Sequence, residues 1–336
     1  MAGERVALFA LGGTIAMTAT PNGAVDLALS ASDLLASVPG LAEGGIDVEA
    51  HQFRQLPGSG LDFADLTELV DAAAARVDEG VDGVVVVQGT DTIEETAFAL
   101  DLLWQHEQPL VVTGAMRNPS LAGADGPANL LAAVLTAANP ASRQTGCLVV
   151  LNDEIHAARW VRKTHSTSPA AFASPGTGPV GYLAEGVPHL VRRPGPNPVC
   201  VDRLTRLDVR TAVVPMVLGD DGELLRRTVD GFDGIVVAAF GVGHVPERTL
   251  EALTDLVARV PVVLASRVGV GPVLTVTYGY AGSESDLLAR GLIGARTLDP
   301  YKSRVLLHLL LAAGAERDQI ADAFAAMSRP PDVDVA

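Results

Sequence analysis

The sequence predicts an α/β protein of two domains, the larger and amino-terminal one built on a parallel sheet. Three observations predict it. Positions 84–87 are four consecutive valines, apolar on both faces and too few for a helix, which suits a buried strand of a parallel sheet. After a break at Gln88-Gly89-Thr90-Asp91, the apolar residues Ile93, Ala97, Leu100 and Trp104 recur at helical spacing. Around 184–210 the chain then becomes rich in Pro and Arg and reads as a linker, beyond which shorter strand and helix patterns resume. The expected boundaries are 1–188 for the first domain, 189–210 for the linker and 211–336 for the second domain.

The elements follow in order. Residues 5–11 read as the first strand and end at Gly12-Gly13-Thr14, where two glycines let the backbone turn tightly. Residues 18–29 hold Pro21 and Asn22-Gly23 without a clear period, so they read as an irregular, mobile loop placed to act as a lid. Residues 46–53 read as a strand leading into a turn that carries Ser59, and a helix over 61–78 puts Leu66, Leu69, Val70 and Val77 on one side. After the central strand, the turn at Thr90-Asp91 precedes a helix whose start has capping-box spacing, Asp91 with Glu94 or Thr92 with Glu95. A short strand at 109–113 ends at Gly114-Ala115-Met116-Arg117, 118–126 is loop, and 127–138 is helix. The strand at 146–151 is followed by 157–168, where Arg159, Arg162 and Lys163 form the most basic short patch, a solvated surface by the ordinary reading. In the second domain, strands at 211–218, 234–240 and 261–266 alternate with helices near 221–229 and 247–260. A loop over 269–284 carries Tyr278 and Tyr280, and helices near 300–313 and 317–328 follow.

Composition excludes several classes. The 336 residues are 48% hydrophobic, enough for a large core, and carry a net charge of −16. That charge argues against nucleic acid and against an anionic membrane surface. No apolar run reaches the length of a membrane span, and the amino terminus reads as a strand rather than a signal peptide, so a soluble cytoplasmic protein is expected. The two cysteines are isolated, Cys147 in the apolar run CLVVL, and the seven histidines show no ligand spacing, so no metal is expected. The Gly12-Gly13 turn lacks dinucleotide-fingerprint spacing and the lysine of a phosphate-binding loop, and no cofactor is expected.

The residues that carry chemistry sit at strand ends. Thr14, Ser59 and Thr90 present hydroxyls, Asp91 a carboxylate, and Lys163 an amine from a further segment. Ligands of open α/β sheets bind at the carboxyl ends of the strands. There is no GxSxG elbow, so a Ser-His-Asp hydrolase is not indicated. A threonine hydroxyl needs a base to become a nucleophile, and a nearby lysine can serve where burial or charge lowers its pKa. Backbone N–H groups after Gly13 and Gly89 can form an oxyanion hole. These groups together suit acyl transfer from a small polar amide to water.

The motifs LGGTIAM, QGTDTIEETA, VTGAMR with ADGPANL, NDEIHAARWVRKT and LDPYKSRVLL resemble the bacterial-type L-asparaginase (asparaginase/glutaminase) family over nearly the whole chain. The resemblance implies a flavodoxin-like amino-terminal domain, a smaller α/β carboxyl-terminal domain, and hydrolysis of L-asparagine to L-aspartate and ammonia without a cofactor. It implies that Thr14 attacks the side-chain amide, that Lys163 activates Thr90 beside Asp91, and that which threonine attacks is argued over within the family. Ser59 would hold the α-carboxylate, Asp91 the α-ammonium, and the Ala115 carbonyl the amide nitrogen. A homotetramer of intimate dimers, with each site at the intimate interface, is implied as well.

Three departures from the family pattern stand out. Ala24 occupies the place of the lid tyrosine, Gly60 that of a Gln or Asn which helps hold the ammonium, and the acidic residue supplied by a neighbouring subunit has no sure match within 269–284. Tyr278 or Tyr280 reaching across the interface could replace the lid tyrosine. The competing readings are a catalytically weak amino-acid-binding protein on the same scaffold, a hydrolase of a different small amide, and the family's tRNA-dependent amidotransferase subunit. Retention of Lys163 with both threonines favours an enzyme, and the acidic charge speaks against RNA.

Overall fold

The computed structural model describes residues 3–19, 25–41, 45–228 and 230–327. The chain divides into two compact units, Met1–Pro196 and Asn197–Ala336.

The first unit is organised by an eight-stranded sheet in the order β12-β11-β8-β7-β6-β5-β1-β4. Five of these strands are parallel neighbours: β4 (Asp47–Gln52), β1 (Arg5–Ala10), β5 (Gly83–Val87), β6 (Leu110–Thr113) and β7 (Cys147–Leu151). The valines of β5 are completely buried, as a strand covered on both faces requires. The crossovers are α2 (Phe63–Asp78) after β4, α3 (Ile93–Leu103) after β5 and α4 (Gly126–Ala138) after β6, with the short α1 (Ala31–Ala36) before β4. Cys147 is buried in β7, in keeping with its apolar run.

The sheet is mixed, because three antiparallel strands extend it: β8 (Glu154–Ala157), β11 (Gly181–Ala184) and β12 (Val187–Leu190). Sequence patterning does not reveal them. They are four residues long and the outer two are partly exposed, so neither an apolar run nor a clean alternation marks them. Asn152 and Asp153, both at positive φ (53° and 59°), form the two-residue turn between β7 and β8. Two more short strands, β9 (Arg162–Lys163) and β10 (Phe172–Ala173), form a separate antiparallel pair.

The segment read as an irregular lid begins and ends in regular structure. Strand β2 (Met17–Ala19) pairs antiparallel with β3 (Val25–Leu27). Backbone pairing sets this hairpin, and no side-chain period announces it. Ala24, with the rest of 20–24, lies outside the described residues.

The second unit carries a four-stranded parallel sheet, β13 (Thr211–Pro215), β14 (Gly234–Ala239), β15 (Val262–Ser266) and β16 (Ile293–Gly294). Its helices are α5 (Glu223–Thr228), α6 (Leu250–Val257), α7 (Glu284–Ala289), α8 (Pro300–Ala312) and α9 (Arg317–Met327). Among the described residues, no helix is long and apolar enough to cross a membrane.

Candidate active site

The carboxyl ends of β1, β4, β5 and β6 lie side by side, and three of the turns that leave them touch through glycine. Gly13 sits at φ 88°, a left-handed conformation that L side chains rarely adopt, and a Cβ there would lie 2.2 Å from Gly89 N. A Cβ on Gly58 would lie 2.8 Å from Gly89 O. Three bare backbones therefore pack against one another, and the residues that follow them are Thr14, Ser59 and Thr90. Main-chain bonds hold the strand ends in step: Leu11 N donates to Val87 O at 2.8 Å, Leu56 N to Leu11 O at 2.9 Å, and Gln88 N to Thr113 O at 3.1 Å.

Thr90 is 5% exposed, and Lys163 Nζ donates to its Oγ1 at 2.9 Å. The same ammonium donates to Asp91 Oδ1 at 3.1 Å. The Lys163 side chain is 16% exposed and that of Asp91 66%, so the lysine is held inside while the carboxylate faces outward. Lys163 comes from β9, outside the main sheet. Glu94, in the first turn of α3, steadies that strand: its Oε2 accepts the Lys163 backbone N–H at 3.2 Å and lies 3.7 Å from Arg162 Nε. Thr92 occupies the N-cap of α3 without a side-chain cap bond.

The hydroxyls of Thr14 and Ser59 have no hydrogen-bond partner among the described residues, Thr14 being partly exposed and Ser59 exposed. Ser59 lies in a single 3₁₀ turn, Gly58–Gly60. Gly60 leaves open space, since the atom nearest to a Cβ there is Pro57 Cγ at 3.7 Å. Ala115 is fully buried in the turn after β6. Two side chains fix that turn, and strand-end reasoning passes over both. Asp125 accepts from Met116 N at 2.9 Å and Arg117 N at 2.8 Å, and Asn129 Nδ2 donates to Gly114 O at 2.9 Å. Asn129 Oδ1 also accepts from Asn152 N at 2.9 Å, tying the end of β7 to the same turn. The sequence signal for them is the ADGPANL run, which places both at the start of α4.

The basic patch is not a solvated surface throughout. Arg159 stacks on Trp160 at 4.8 Å and donates to the carbonyls of Pro194 and Gly195. Burial lowers its pKa, the main effect of packing a guanidinium away from water.

In the second unit, Tyr278 and Tyr280 are 43% and 52% exposed, with rings set edge-on to His244 at 4.9 Å and 5.3 Å. The acidic residue closing that loop, Glu284, is fully buried. It accepts from Thr277 N at 2.9 Å and Tyr278 N at 2.8 Å, and lies 3.2 Å from His244 Nε2. Its carboxylate shapes the tyrosine loop from within its own unit.

The two-domain fold and its relatives define a hydrolytic α/β enzyme, and the lysine on the Thr90 hydroxyl lies at the carboxyl edge of its parallel sheet. The chain belongs to the asparaginase family. The asparaginase amino-terminal domain model matches residues 5–195, and the glutaminase/asparaginase carboxyl-terminal domain model matches residues 210–324. A probable L-asparaginase of Deinococcus radiodurans is 38% identical over 326 residues, covering 95% of this chain and 97% of the relative. An L-asparaginase of Bacillus licheniformis is 35% identical over 317 residues, covering 93% and 97%. The crystal structure of a probable cytoplasmic L-asparaginase from Campylobacter jejuni superposes with a TM-score of 0.85 at 32% identity, covering 96% of this chain and 99% of that one.

Proposed function

We propose that this protein hydrolyses the side-chain amide of L-asparagine to L-aspartate and ammonia. The observation that carries the reading is Lys163 Nζ donating to Thr90 Oγ1 at 2.9 Å. A hydroxyl whose oxygen accepts from an ammonium directs its own proton elsewhere, and so can donate to a group in the site. The Thr14 hydroxyl, partly exposed and without a partner among the described residues, is the nucleophile. Its oxygen bonds to the amide carbon, and the hydroxyl proton passes to the leaving nitrogen by way of the Thr90–Lys163 pair. Ammonia departs, leaving an ester on Thr14, and water hydrolyses it to L-aspartate and free enzyme. Ser59 holds the α-carboxylate, Asp91 the α-ammonium and the Ala115 carbonyl the amide nitrogen. Gly60 offers no side chain to the ammonium.

The same reading extends to assembly and location. The tetramer of intimate dimers is supported by family membership, and light scattering after size exclusion tests it by asking for four times the chain mass. A cytoplasmic location is supported by the name of the Campylobacter jejuni relative.

The reaction is tested by ammonia release from L-asparagine, L-glutamine and D-asparagine, with Thr14→Ala and Thr90→Ala as controls. Release from L-asparagine that both substitutions abolish supports the reading. No release from the wild type above these controls overturns it.

A further inference from the structure

The first turn of α3 directs its threonine across the site rather than along the helix. Thr92 is the N-cap residue, yet its hydroxyl makes no cap bond. It donates instead to Gly58 O at 3.1 Å, 34 residues away in sequence. Two groups donate to the Thr92 oxygen, Gln88 Nε2 at 3.3 Å and Thr96 Oγ1 at 3.3 Å. Gln88 Nε2 faces three acceptors at 3.3 Å, Gly89 O, Thr92 Oγ1 and Thr96 Oγ1, and shares its two hydrogens among them, while Gly58 O can only accept. With donors on its oxygen, the single Thr92 proton is steered away from them and onto Gly58.

This bond joins two substrate-facing turns that have no side chain between them. Gly58 precedes Ser59, and Gly89 precedes Thr90 and Asp91. The closeness of Gly58 to Gly89 O leaves no room for a Cβ to set their separation. The other donor to Gly58 O, Leu61 N at 3.4 Å, closes the Ser59 turn on itself and does not reach the neighbouring one. Gln88 and Thr96 are buried, so the network that aims Thr92 is shielded from competing water.

We infer that Thr92 is a positioning residue that sets the distance between Ser59 on one turn and Asp91 on the other. These are the groups that grip the two ends of an amino-acid head, so the inference rests on the roles given to them above. The charged head of the substrate is bound in the ground state and the transition state alike. Misplacing one grip therefore raises KM more than it lowers kcat.

The test is Thr92→Val, which keeps the shape and removes the hydroxyl, beside Thr92→Ser, which keeps the hydroxyl. KM and kcat for L-asparagine, the Kd of L-aspartate by calorimetry, and the thermal midpoint are measured for each. For Thr92→Val we expect about a five- to tenfold rise in KM and Kd, with kcat within about threefold, as loss of one hydrogen bond implies. Thr92→Ser should return both constants to near the wild-type values. An unchanged KM and Kd overturns the inference. So does a fall in kcat and midpoint without a KM effect, which marks a purely structural role, and so does failure of Thr92→Ser to rescue. A wild type that binds L-aspartate without hydrolysing any amide overturns the proposed reaction, and Thr92 is then judged on Kd alone. A wild type that neither binds nor hydrolyses overturns both.

Discussion

Lys163 and Thr90 lie 73 residues apart in the chain and 2.9 Å apart in the structure. The lysine sits on a two-residue strand outside the main sheet, while the threonine lies in the turn after β5, a strand buried along its whole length. Glu94, in the first turn of α3, accepts the backbone N–H of the lysine.

Replacing Lys163 with Met removes the ammonium and keeps most of the stem. With Thr90 left without its proton source, kcat should fall by about 10²- to 10⁴-fold, the usual worth of a positioned acid–base group. Far-UV circular dichroism and the thermal midpoint should stay near the wild type. Activity within threefold of the wild type would remove Lys163 from the mechanism.

The two glycines flanking Ser59 should respond oppositely to substitution. Gly58→Ala puts a Cβ 2.8 Å from a backbone oxygen that cannot move aside, so it should lower both stability and turnover. Gly60→Gln meets no atom closer than 3.7 Å to its Cβ and should fold normally. The added amide can hydrogen-bond the substrate ammonium, so KM for L-asparagine should fall. Steady-state kinetics with thermal melts separates the two effects.

The turn that carries Ala115 depends on Asp125. Asp125→Ala leaves Met116 N and Arg117 N without their acceptor. Each lost bond to a carboxylate is worth about 1.5–3 kcal/mol, so denaturant melts should show a loss on that scale. Turnover should fall with it, because the Ala115 carbonyl, which the proposed reaction assigns to the amide nitrogen, shifts.

Acid should weaken the fold through His156. This histidine is fully buried, its Nδ1 lies 2.9 Å from Ser174 Oγ, and burial pushes its pKa down from 6.5 to about 4. Glu154 Oε2, the carboxylate facing it, is 3.2 Å from Nε2 without a hydrogen bond to it, and burial outweighs its attraction. The unfolded chain therefore binds a proton between pH 6.5 and 4 that the folded chain refuses. The stability due to neutral His156 is whole above pH 6.5 and is lost progressively as the pH falls toward about 4. Urea melts at pH 7.5, 6, 5 and 4 should show a declining midpoint, and the decline should be shallower in His156→Gln.

Much of this protein is legible in the sequence because it is carried by local pattern. The apolar run of β5, the helical spacing after Asp91, and the threonines and serine at strand ends each sit within a few residues of what forms them. The strand–turn–helix order fixes the parallel sheet, and the sheet fixes which edge receives the hydroxyls. Other features come only from tertiary structure, because long-range partners make them. β11 and β12 are strands by virtue of the sheet edge they join, and β2 and β3 by virtue of each other. Arg159 is half-buried because Trp160 and two distant carbonyls pack against it, against the full exposure that a basic run suggests. Thr92 has capping-box spacing with Glu95 and Asp91 with Glu94, yet a neighbouring turn claims the Thr92 hydroxyl and the Glu94 carboxylate bonds the lysine strand. Local spacing sets which bonds such side chains can make, and the packing of distant turns against Gly13, Gly58 and Gly89 decides which they do make.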